Sequence, residues 1–364
     1  MLLRLIAAVI VAGLSVTAIA AELPGNFRLP AGFSAELLVR VPGARSMALG
    51  DSGTLFVATN RVGNVYAVAE PFGGAPRVRT LLTGLTLPNG VAFRDGILYV
   101  ADQKRLLAIP GAEKLESVVT PATVTEWPFK GFLHSWKYMR FGPDGLLYVS
   151  IGSPCNVCDE SDFGVILRMR PDGTGREVYA RGIRNSVGFD WHPRTGDLWF
   201  TDNGRDRMGD DVPPCELNRV SKVGEHFGFP FCHAGDIVDP EFGKLGSCDA
   251  ATPPVRKLGP HVSPLGLRFY DGKQFPAEYR DQVFIAEHGS WDRSKAAGRT
   301  GYRVTLVRPG NAGEPSYEPF LEGFLDGDNV LGRPVDIMVA PDGSLLVSDD
   351  VAGAIWRISY RAKP

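Results

Sequence analysis

The chain has 364 residues, among them 43 glycines and 28 prolines, and its formal net charge is −2. A net charge this close to zero gives no electrostatic basis for binding nucleic acid or an anionic membrane. The frequent glycine and proline residues are typical of many short strands joined by turns.

Residues 1–20 have the pattern of a secretory signal. Arg4 supplies the positive start, an apolar run follows, and a small-x-small cleavage sequence ends at Ala20. We expect cleavage before Ala21 and export to the periplasm or the medium. An uncleaved membrane anchor is the alternative, but the apolar run is short for a bilayer span, and no later segment is apolar over the length that a span needs.

One pattern recurs six times along the rest of the chain. Each copy has an apolar strand, a turn rich in Asp and Gly, a second strand of large apolar residues, a polar corner and a third strand. The turns with their second strands read DSGTLFVAT, RDGILYVAD, PDGLLYVSI, RTGDLWFTD, YRDQVFIAE and PDGSLLVSD. The third strands read NVYAV, RLLAI, VILRM, ELNRV, YRVTL and AIWRI. Six copies of each predict a repeat architecture.

A single unit of this kind has two sheet faces to bury, so neighbouring units must stack. Stacked radially, they form a six-bladed β-propeller with four-stranded antiparallel blades, which we predict as one all-β domain over residues 21–364. A long connection at about 205–265 is predicted as a loop insertion. The last unit ends at Tyr360 without an outer strand. The segment Phe33–Val41 alternates correctly to supply that strand and close the ring.

Polar residues are expected to converge at one mouth of the channel. The first and second strands of a blade are antiparallel, so the residue before the first strand and the residue after the second share a face. Before the first strands lie Ser46, Asn89, His134, Arg184, Asn185, His261, Ser263 and Arg333. After the second strands lie Asn60, Arg61, Asp102, Ser153, Asp202, Asn203, Gly204, Glu287, His288, Asp349 and Asp350. A convergent polar set in a concavity is a candidate site, although turn capping explains Asp102, Asp349 and Asp350 equally well.

These residue types favour a particular chemistry. Arginines indicate an anionic ligand, because the guanidinium fork matches carboxylates. Carboxylate, amide and backbone oxygens suit calcium, and a histidine can remove a hydroxyl proton. Together they suggest an oxidoreductase with an acidic organic cofactor, whereas oxygen ligands around a cation alone would suit a hydrolase equally.

The five cysteines predict disulfides in an exported protein. Cys155 and Cys158 are predicted to form a local loop disulfide, because no histidine follows for haem attachment and no second close pair completes a zinc site. Cys232 and Cys248 are a plausible second bridge. Cys215 is left without an assigned role.

The stretch IRNSVGFDWHPRTGDLWFTDNG, followed by DD, ELN and HFGFP, resembles the soluble quinoprotein sugar dehydrogenases. These are six-bladed propellers that bind pyrroloquinoline quinone (PQQ) and calcium. The resemblance covers nearly all of the chain after the signal. It looks most like the branch of PQQ-dependent sugar dehydrogenases and L-sorbosone dehydrogenases.

The resemblance implies roles for residues of the channel mouth. His134 falls on the catalytic base, which would take the proton of a sugar C1 hydroxyl while hydride passes to the quinone. Arg184 and Asn185 fall on the pair at the quinone side of PQQ, and Asn203 falls where an amide neighbours the cofactor. The backbone carbonyls of Gly204 and of the next residue fall on the calcium ligands. That next residue is Arg205, where the family has proline.

The last two units carry a cofactor residue and two departures. Arg333 falls on an arginine that binds a cofactor carboxylate. Glucose-oxidising members have a lysine in the unit-five loop, for which this chain offers His288, Arg293 or Lys295. The place of a second arginine is taken by Val335.

We therefore expect a periplasmic or secreted dehydrogenase that uses PQQ and Ca²⁺ to oxidise an aldose or a related polyol or aldehyde. The chain has no haem motif, so its electrons would pass to a separate acceptor, a c-type cytochrome or a quinone. Two alternatives stay open. One is a gluconolactonase-type hydrolase whose metal is held by side chains such as Asn185 and Asp202. The other is a propeller that binds protein or glycan without catalysis.

Overall fold

The computed structural model describes residues 26–310 and 314–362, so the predicted signal at residues 1–20 lies outside the described residues. Six sheets of four antiparallel strands form the blades of a β-propeller, which confirms the predicted fold class. No helix in the described ranges is long and apolar enough to cross a membrane.

The strands are numbered β1 to β29 along the chain. Blade one contains β2 (Met47–Leu49), β3 (Leu55–Ala58), β4 (Val65–Ala69) and β5 (Arg77–Leu82). Blade two contains β6 (Gly90–Arg94), β7 (Ile97–Ala101), β8 (Arg105–Pro110) and β9 (Ala122–Glu126). Blade three contains β10 (Met139–Phe141), β11 (Leu147–Ile151), β12 (Val165–Met169) and β13 (Glu177–Arg181). Its outer edge adds a parallel strand, β17 (Glu225–His226).

Blade four contains β14 (Phe189–Trp191), β15 (Leu198–Asp202), β16 (Pro214–Val220) and β20 (Arg256–Pro260). Blade five contains β21 (Pro264–Phe269), β22 (Val283–Glu287), β23 (Arg303–Arg308) and β24 (Ser316–Leu321). Blade six contains β27 (Pro334–Val339), β28 (Leu345–Asp349), β29 (Ala354–Tyr360) and β1 (Phe33–Arg40). Two small hairpins join β18 (Cys232–His233) to β19 (Ile237–Val238) and β25 (Leu325–Asp326) to β26 (Asn329–Val330).

The ring is closed by the N-terminal strand, as the sequence predicted. β1 pairs with β29, and Phe33 lies opposite Tyr360 at one end of this ladder while Arg40 lies opposite Ala354 at the other. The last sheet is therefore made from both ends of the described chain. This closure fixes the first blade against the last.

Alternation along each second strand packs both faces of its sheet. In β11, Leu147 and Val149 pack into the core shared with blade two. The intervening residue, Tyr148, packs with Phe189 in the core shared with blade four. Because side chains alternate across a strand, each blade supplies half of two inter-blade cores.

A charged network ties the first strands together near the opposite mouth of the channel. Asp190 on β14 forms an ion pair with Arg140 on β10 and accepts a hydrogen bond of 3.0 Å from the backbone N–H of Phe269 on β21. Arg268 donates 3.0 Å to the backbone oxygen of Ile337 on β27. Four blades are thus linked around the axis.

The connection at about 205–265 is partly regular, since β16 and β20 of blade four lie inside it. The irregular part between them carries the disulfide Cys232–Cys248, and a second disulfide joins Cys155 to Cys158. Both predicted disulfides are confirmed. Among the described cysteines Cys215 alone is unpaired, and it is buried.

The closing strand should contribute measurably to stability. The ring centroid of Phe33 lies 4.7 to 5.1 Å from those of four rings in edge-to-face or tilted contacts, namely Phe275, Tyr279, Phe320 and Tyr360. We expect Phe33→Ala to lower the free energy of unfolding by about 3 kcal/mol, because the substitution removes a packed ring and leaves a cavity. Denaturant titration measures this loss, with Glu36→Ala at an exposed position of β1 as the matched control. Equal free energies of unfolding for the two variants would show that the packing of Phe33 does not stabilise the closed ring.

Candidate functional site

One mouth of the channel opens into a cavity of about 750 Å³. Twelve polar positions predicted from the strand ends line it, namely Asn60, Arg61, His134, Arg184, Asn185, Asn203, Gly204, His261, Ser263, His288, Arg333 and Asp350. The structure therefore brings together residues that are far apart in the sequence and come from five of the six blades.

His134 has one ring nitrogen bonded to the protein and one left to accept a proton. Its Nδ1 lies 2.9 Å from the backbone oxygen of Ser153. A carbonyl can only accept, so Nδ1 carries the proton and Nε2 keeps its lone pair. The residue is 5% exposed and has a backbone φ of 47°, a conformation that costs energy in a non-glycine residue. Burial, and after it the charge of Arg184, holds the pKa of His134 well below its usual range.

Gly152 leaves room for the side chain of His134. A Cβ atom at residue 152 would lie 2.8 Å from the Cβ of His134 and 3.0 Å from the Oδ1 of Asn185. Such contacts are shorter than van der Waals packing allows. Glycine is therefore required where β11 ends if these two side chains are to approach each other.

Arg184 is held by oxygens on every side. Its Nε and one Nη donate to the backbone oxygen and the Oδ1 of Asn156, each at 2.9 Å. The other Nη donates to the backbone oxygen of Gly204 at 2.8 Å, and an ion pair of 2.6 Å joins the guanidinium to Asp206. Asn156 lies inside the Cys155–Cys158 disulfide loop, so this loop positions one wall of the cavity.

Asp202 fixes the Arg184–Asn185 backbone from behind the cavity lining. Its two oxygens accept hydrogen bonds from the backbone N–H groups of Arg184 at 2.9 Å and Asn185 at 2.6 Å. Asn203 continues the same contact, because its Nδ2 donates 3.0 Å to the backbone oxygens of both Asn185 and Pro264. Asp202 thus acts on the backbone, and it is not among the residues that line the cavity.

The opposite wall comes from blades five, six and one. Arg333 donates to the backbone oxygens of His288 at 2.8 Å and Gly289 at 2.6 Å. Among the described residues it has no carboxylate partner within ion-pair distance. Burial lowers the pKa of Arg333, as expected for a cation that has left water without a counter-ion. Arg333 is therefore available to an anion in the cavity.

His288 belongs to a chain of buried polar groups. Its Nε2 lies 2.9 Å from the Oδ1 of Asp350, whose Oδ2 lies 2.6 Å from Arg45. Arg45 in turn donates 2.5 Å to the Oδ1 of Asn89. Although burial opposes it, the neighbouring His288 and Arg45 lower the pKa of Asp350. Asp350 thus lies in the site, whereas Asp349 caps the strand end by accepting from the backbone of Arg333 at 2.9 Å.

Nine of the predicted residues are absent from the cavity lining, namely the strand-end residues Ser46, Asn89, Asp102, Ser153, Asp202, Glu287 and Asp349 and the two residues Arg205 and Arg293 to which the resemblance gave roles. Arg293 lies outside the cavity lining, since it donates to the backbone oxygens of Asp210 at 2.6 Å and Gly298 at 2.9 Å. The side chain of Arg205 pairs with Asp239 and Glu241 in the insertion. Its predicted role needs only its backbone carbonyl, next to Gly204.

Several lining residues were not predicted from the sequence. They are Arg45, Phe132, Leu133, Trp136, Asp206, Cys215 and Trp291. Arg45 could have been found, because it precedes Ser46 as Arg184 precedes Asn185. Burial raises the pKa of the Cys215 thiol to about 12, so this residue is not a thiolate at neutral pH.

The lining fits a small polyanion beside a hard cation. Four arginines face it, Arg45, Arg61, Arg184 and Arg333, against the two carboxylates Asp206 and Asp350. Trp136 adds a buried Nε1 donor for which the described residues offer no acceptor. The backbone oxygen of Gly204 on the same wall is the type of ligand that calcium takes.

Two family models match the chain. The model described as glucose/sorbosone dehydrogenase matches residues 125–290, and the model described as TrAA12-like matches residues 244–361. An uncharacterized protein of Borreliella burgdorferi is 31% identical over 364 residues, which cover 95% of this chain and 94% of that protein.

Solved structures resemble the fold over almost the whole chain. The calcium structure of a Trichoderma reesei carbohydrate-active enzyme of family AA12 is 21% identical, with a TM-score of 0.77 and coverage of 92% of this chain and 97% of that one. The holo form of the PQQ domain of Coprinopsis cinerea pyranose dehydrogenase is 17% identical, with a TM-score of 0.75 and coverage of 94% and 99%. The PQQ-bound aldose sugar dehydrogenase of Streptomyces coelicolor is 22% identical, with a TM-score of 0.62 and coverage of 92% and 100%.

The protonation of His134 can be measured directly. We expect its imidazole to stay neutral in the folded protein at pH 6.5, because its pKa is lowered by burial and by Arg184. The unfolded chain binds this proton near pH 6.5, so His134 should destabilise the fold as pH falls below that value. NMR titration of the ring protons, assigned with His134→Gln, measures the pKa. A value at or above 6.5 would contradict the described environment.

Proposed function

Since the chain belongs to the glucose/sorbosone dehydrogenase family, we propose that it is a PQQ- and calcium-dependent dehydrogenase of an aldose or a related polyol or aldehyde. One observation carries the proposal. The cavity that contains the free Nε2 of His134 also contains Arg333, a half-buried cation without a carboxylate partner among the described residues. A base and an anion site in one concavity match the chemistry of a hydroxyl oxidation with an acidic cofactor.

Different residues around the cavity bind different parts of the cofactor. Arg333 pairs with a cofactor carboxylate, which replaces the water it has lost. Arg184, Asn185 and Asn203 contact the cofactor from the wall held by Asp202. His288 takes the place of the family lysine. The backbone oxygens of Gly204 and Arg205 hold Ca²⁺.

The chain's own contribution to the reaction is a positioned proton acceptor. When bound, PQQ with Ca²⁺ would supply the two-electron acceptor that takes the hydride. His134 takes the hydroxyl proton at Nε2, because the bond from Nδ1 to Ser153 fixes the tautomer. Its lowered pKa keeps the base unprotonated through mildly acidic pH. The apolar side chains Phe132, Leu133 and Trp291 border the same cavity and offer faces for a sugar ring.

Three structural relatives support this assignment. One is a PQQ-bound aldose sugar dehydrogenase, one is the holo PQQ domain of a pyranose dehydrogenase, and one is a calcium structure. Their identities to this chain are low, so the support for the cofactors comes from the match between the PQQ and calcium of those structures and the cavity lining described above.

The electrons leave to a separate acceptor, a c-type cytochrome or a quinone, since the sequence contains no haem attachment motif. We also propose a periplasmic or secreted location. The two disulfides support it, because such bonds persist in oxidising compartments.

Reconstitution tests the function. The protein is purified without PQQ, Ca²⁺ and PQQ are added in turn, and reduction of an artificial dye is followed with a panel of aldoses and polyols. We expect dye reduction only when PQQ, Ca²⁺ and a sugar are all present. Saturating PQQ that gives no reduction with any member of the panel would overturn the proposal.

Two variants separate chemistry from binding. His134→Gln should lower kcat by about 100-fold or more, because it removes the base, and should leave the Kd for PQQ within about twofold. Arg333→Ala should raise that Kd by about tenfold or more, since a charge-assisted contact with the cofactor is lost. Each variant controls for the other, and Arg170→Ala on an exposed turn controls for loss of a surface charge. Equal effects of the first two variants on both constants would contradict the assigned roles.

Gly152 should act as a positioning residue. Gly152→Ala places a methyl group against His134 and Asn185, and we expect kcat to fall by about tenfold or more, because small misplacements of a base are costly. Gly73→Ala, whose added Cβ meets nothing closer than 3.4 Å, is the matched control. A structural role alone would lower the melting temperature without displacing the pKa of His134, so the NMR titration distinguishes the two readings.

A further inference from the structure

Three potential metal ligands lie together at the rim of the cavity. One ligand atom from each of Asp206, His261 and Asp292 lies within 4.8 Å of the other two. Asp206 follows β15 of blade four, whereas His261 precedes β21 and Asp292 follows β22 of blade five. We propose that these side chains bind a divalent transition-metal ion, Zn²⁺, at a site separate from the carbonyls of Gly204 and Arg205.

Each of the three side chains keeps one ligand atom free. Asp206 uses Oδ2 to bind Arg184 at 2.6 Å, and Asp292 uses Oδ2 to accept from the backbone N–H of Arg207 at 2.7 Å. His261 uses Nε2, which lies 2.8 Å from the backbone oxygen of Gly209. In the described ranges no hydrogen bond reaches the Oδ1 of either aspartate or the Nδ1 of His261. Each side chain of the cluster therefore has a further ligand atom available to a metal ion.

The histidine provides an observation that is independent of the carboxylates. His261 is 8% exposed and has a φ of 55°, so it is buried and held in an unfavourable backbone conformation. Because the oxygen of Gly209 can only accept, Nε2 carries the proton and Nδ1 has the lone pair. A metal-binding histidine commonly donates its other N–H to a backbone carbonyl, which fixes the tautomer that the metal needs.

The ligand set selects the type of ion. One imidazole and two carboxylates suit Zn²⁺, which takes four ligands, and a water completes that number. Calcium takes six to eight oxygens and has little preference for imidazole. The two carboxylates also balance the charge of the ion, even though Asp206 is shared with the guanidinium of Arg184 through its other oxygen.

The ion would join two blades at the rim. The loops are already in contact, since Ser294 donates 2.7 Å from its hydroxyl and 2.6 Å from its backbone N–H to Asp210. A metal bridge would fix Asp206, and through it Arg184, against blade five. The site requires neither PQQ nor dehydrogenase activity, so it goes beyond the proposed function.

Metal binding can be tested on untagged, full-length mature protein without PQQ. The protein is treated with EDTA, desalted and titrated with Co²⁺, whose visible absorption reports its coordination, and Zn²⁺ is then added as competitor. We expect one equivalent of Co²⁺ to bind and Zn²⁺ to displace it, while millimolar Ca²⁺ does not. His261→Gln and Asp292→Asn should each weaken Co²⁺ binding by about tenfold or more, because each removes a direct ligand.

The matched control is His192→Gln, which removes a histidine that accepts hydrogen bonds from backbone N–H groups in the turn after β14 and should bind Co²⁺ like the wild type. Absence of saturable Co²⁺ binding would overturn the proposal. Equal Co²⁺ affinity in the two ligand variants and the wild type would also overturn it, because it would mean that the ion binds adventitiously elsewhere. Asp292 is only half-buried, so Asp292→Asn gives a folded variant for the test even where His261→Gln does not fold. Failure here leaves PQQ binding unaffected, so the two proposals fail separately.

Discussion

The carboxylate of Asp202 is the contact on which the cavity depends. It lies at the end of β15 and accepts hydrogen bonds from the backbone N–H groups of Arg184 and Asn185. These two residues precede the first strand of the same blade. Blade six has the same arrangement, because Asp349 at the end of β28 accepts a hydrogen bond from the backbone N–H of Arg333. In both blades a buried carboxylate fixes the backbone, so the neighbouring side chain is free to face the channel. An unmet buried donor here would cost about 1 to 3 kcal/mol.

One wall of the cavity is consequently held by many hydrogen bonds, and the opposite wall presents a cation that can bind an anion. Arg184 is surrounded by the oxygens of Asn156, Gly204 and Asp206, so its charge is already balanced by protein groups. Arg333 contacts only backbone oxygens and the ring of Tyr302, so its charge has no equivalent partner in the part of the chain that the structure describes. This asymmetry would orient the acidic ligand of the proposed function, because a cation without a carboxylate partner attracts a ligand carboxylate most strongly.

The sequence contained most of this arrangement, because it depends on local patterns. Period-two alternation and the recurring turns located the strands, and the missing outer strand at Tyr360 predicted closure by residues 33–41. Strand ends then placed His134, Arg184 and Arg333 at one mouth. The insertion was harder to predict, since its contacts are long-range: Arg293 is captured by the backbone of Asp210. The meeting of Asp206 with Asp292 follows from the same loops, and neither residue has a repeat equivalent that could have signalled it.

The most direct test of the account is the crystal structure of the protein grown with Ca²⁺ and PQQ. The account predicts density for one PQQ in the channel cavity, with a carboxylate on Arg333, the quinone side at Arg184 and Asn185, and Ca²⁺ on the backbone oxygens of Gly204 and Arg205. Asp202 should still hold the backbone of Arg184 and Asn185, and Nε2 of His134 should face the ligand. A cavity that stays free of PQQ at saturating concentration, or PQQ bound elsewhere, would contradict the account.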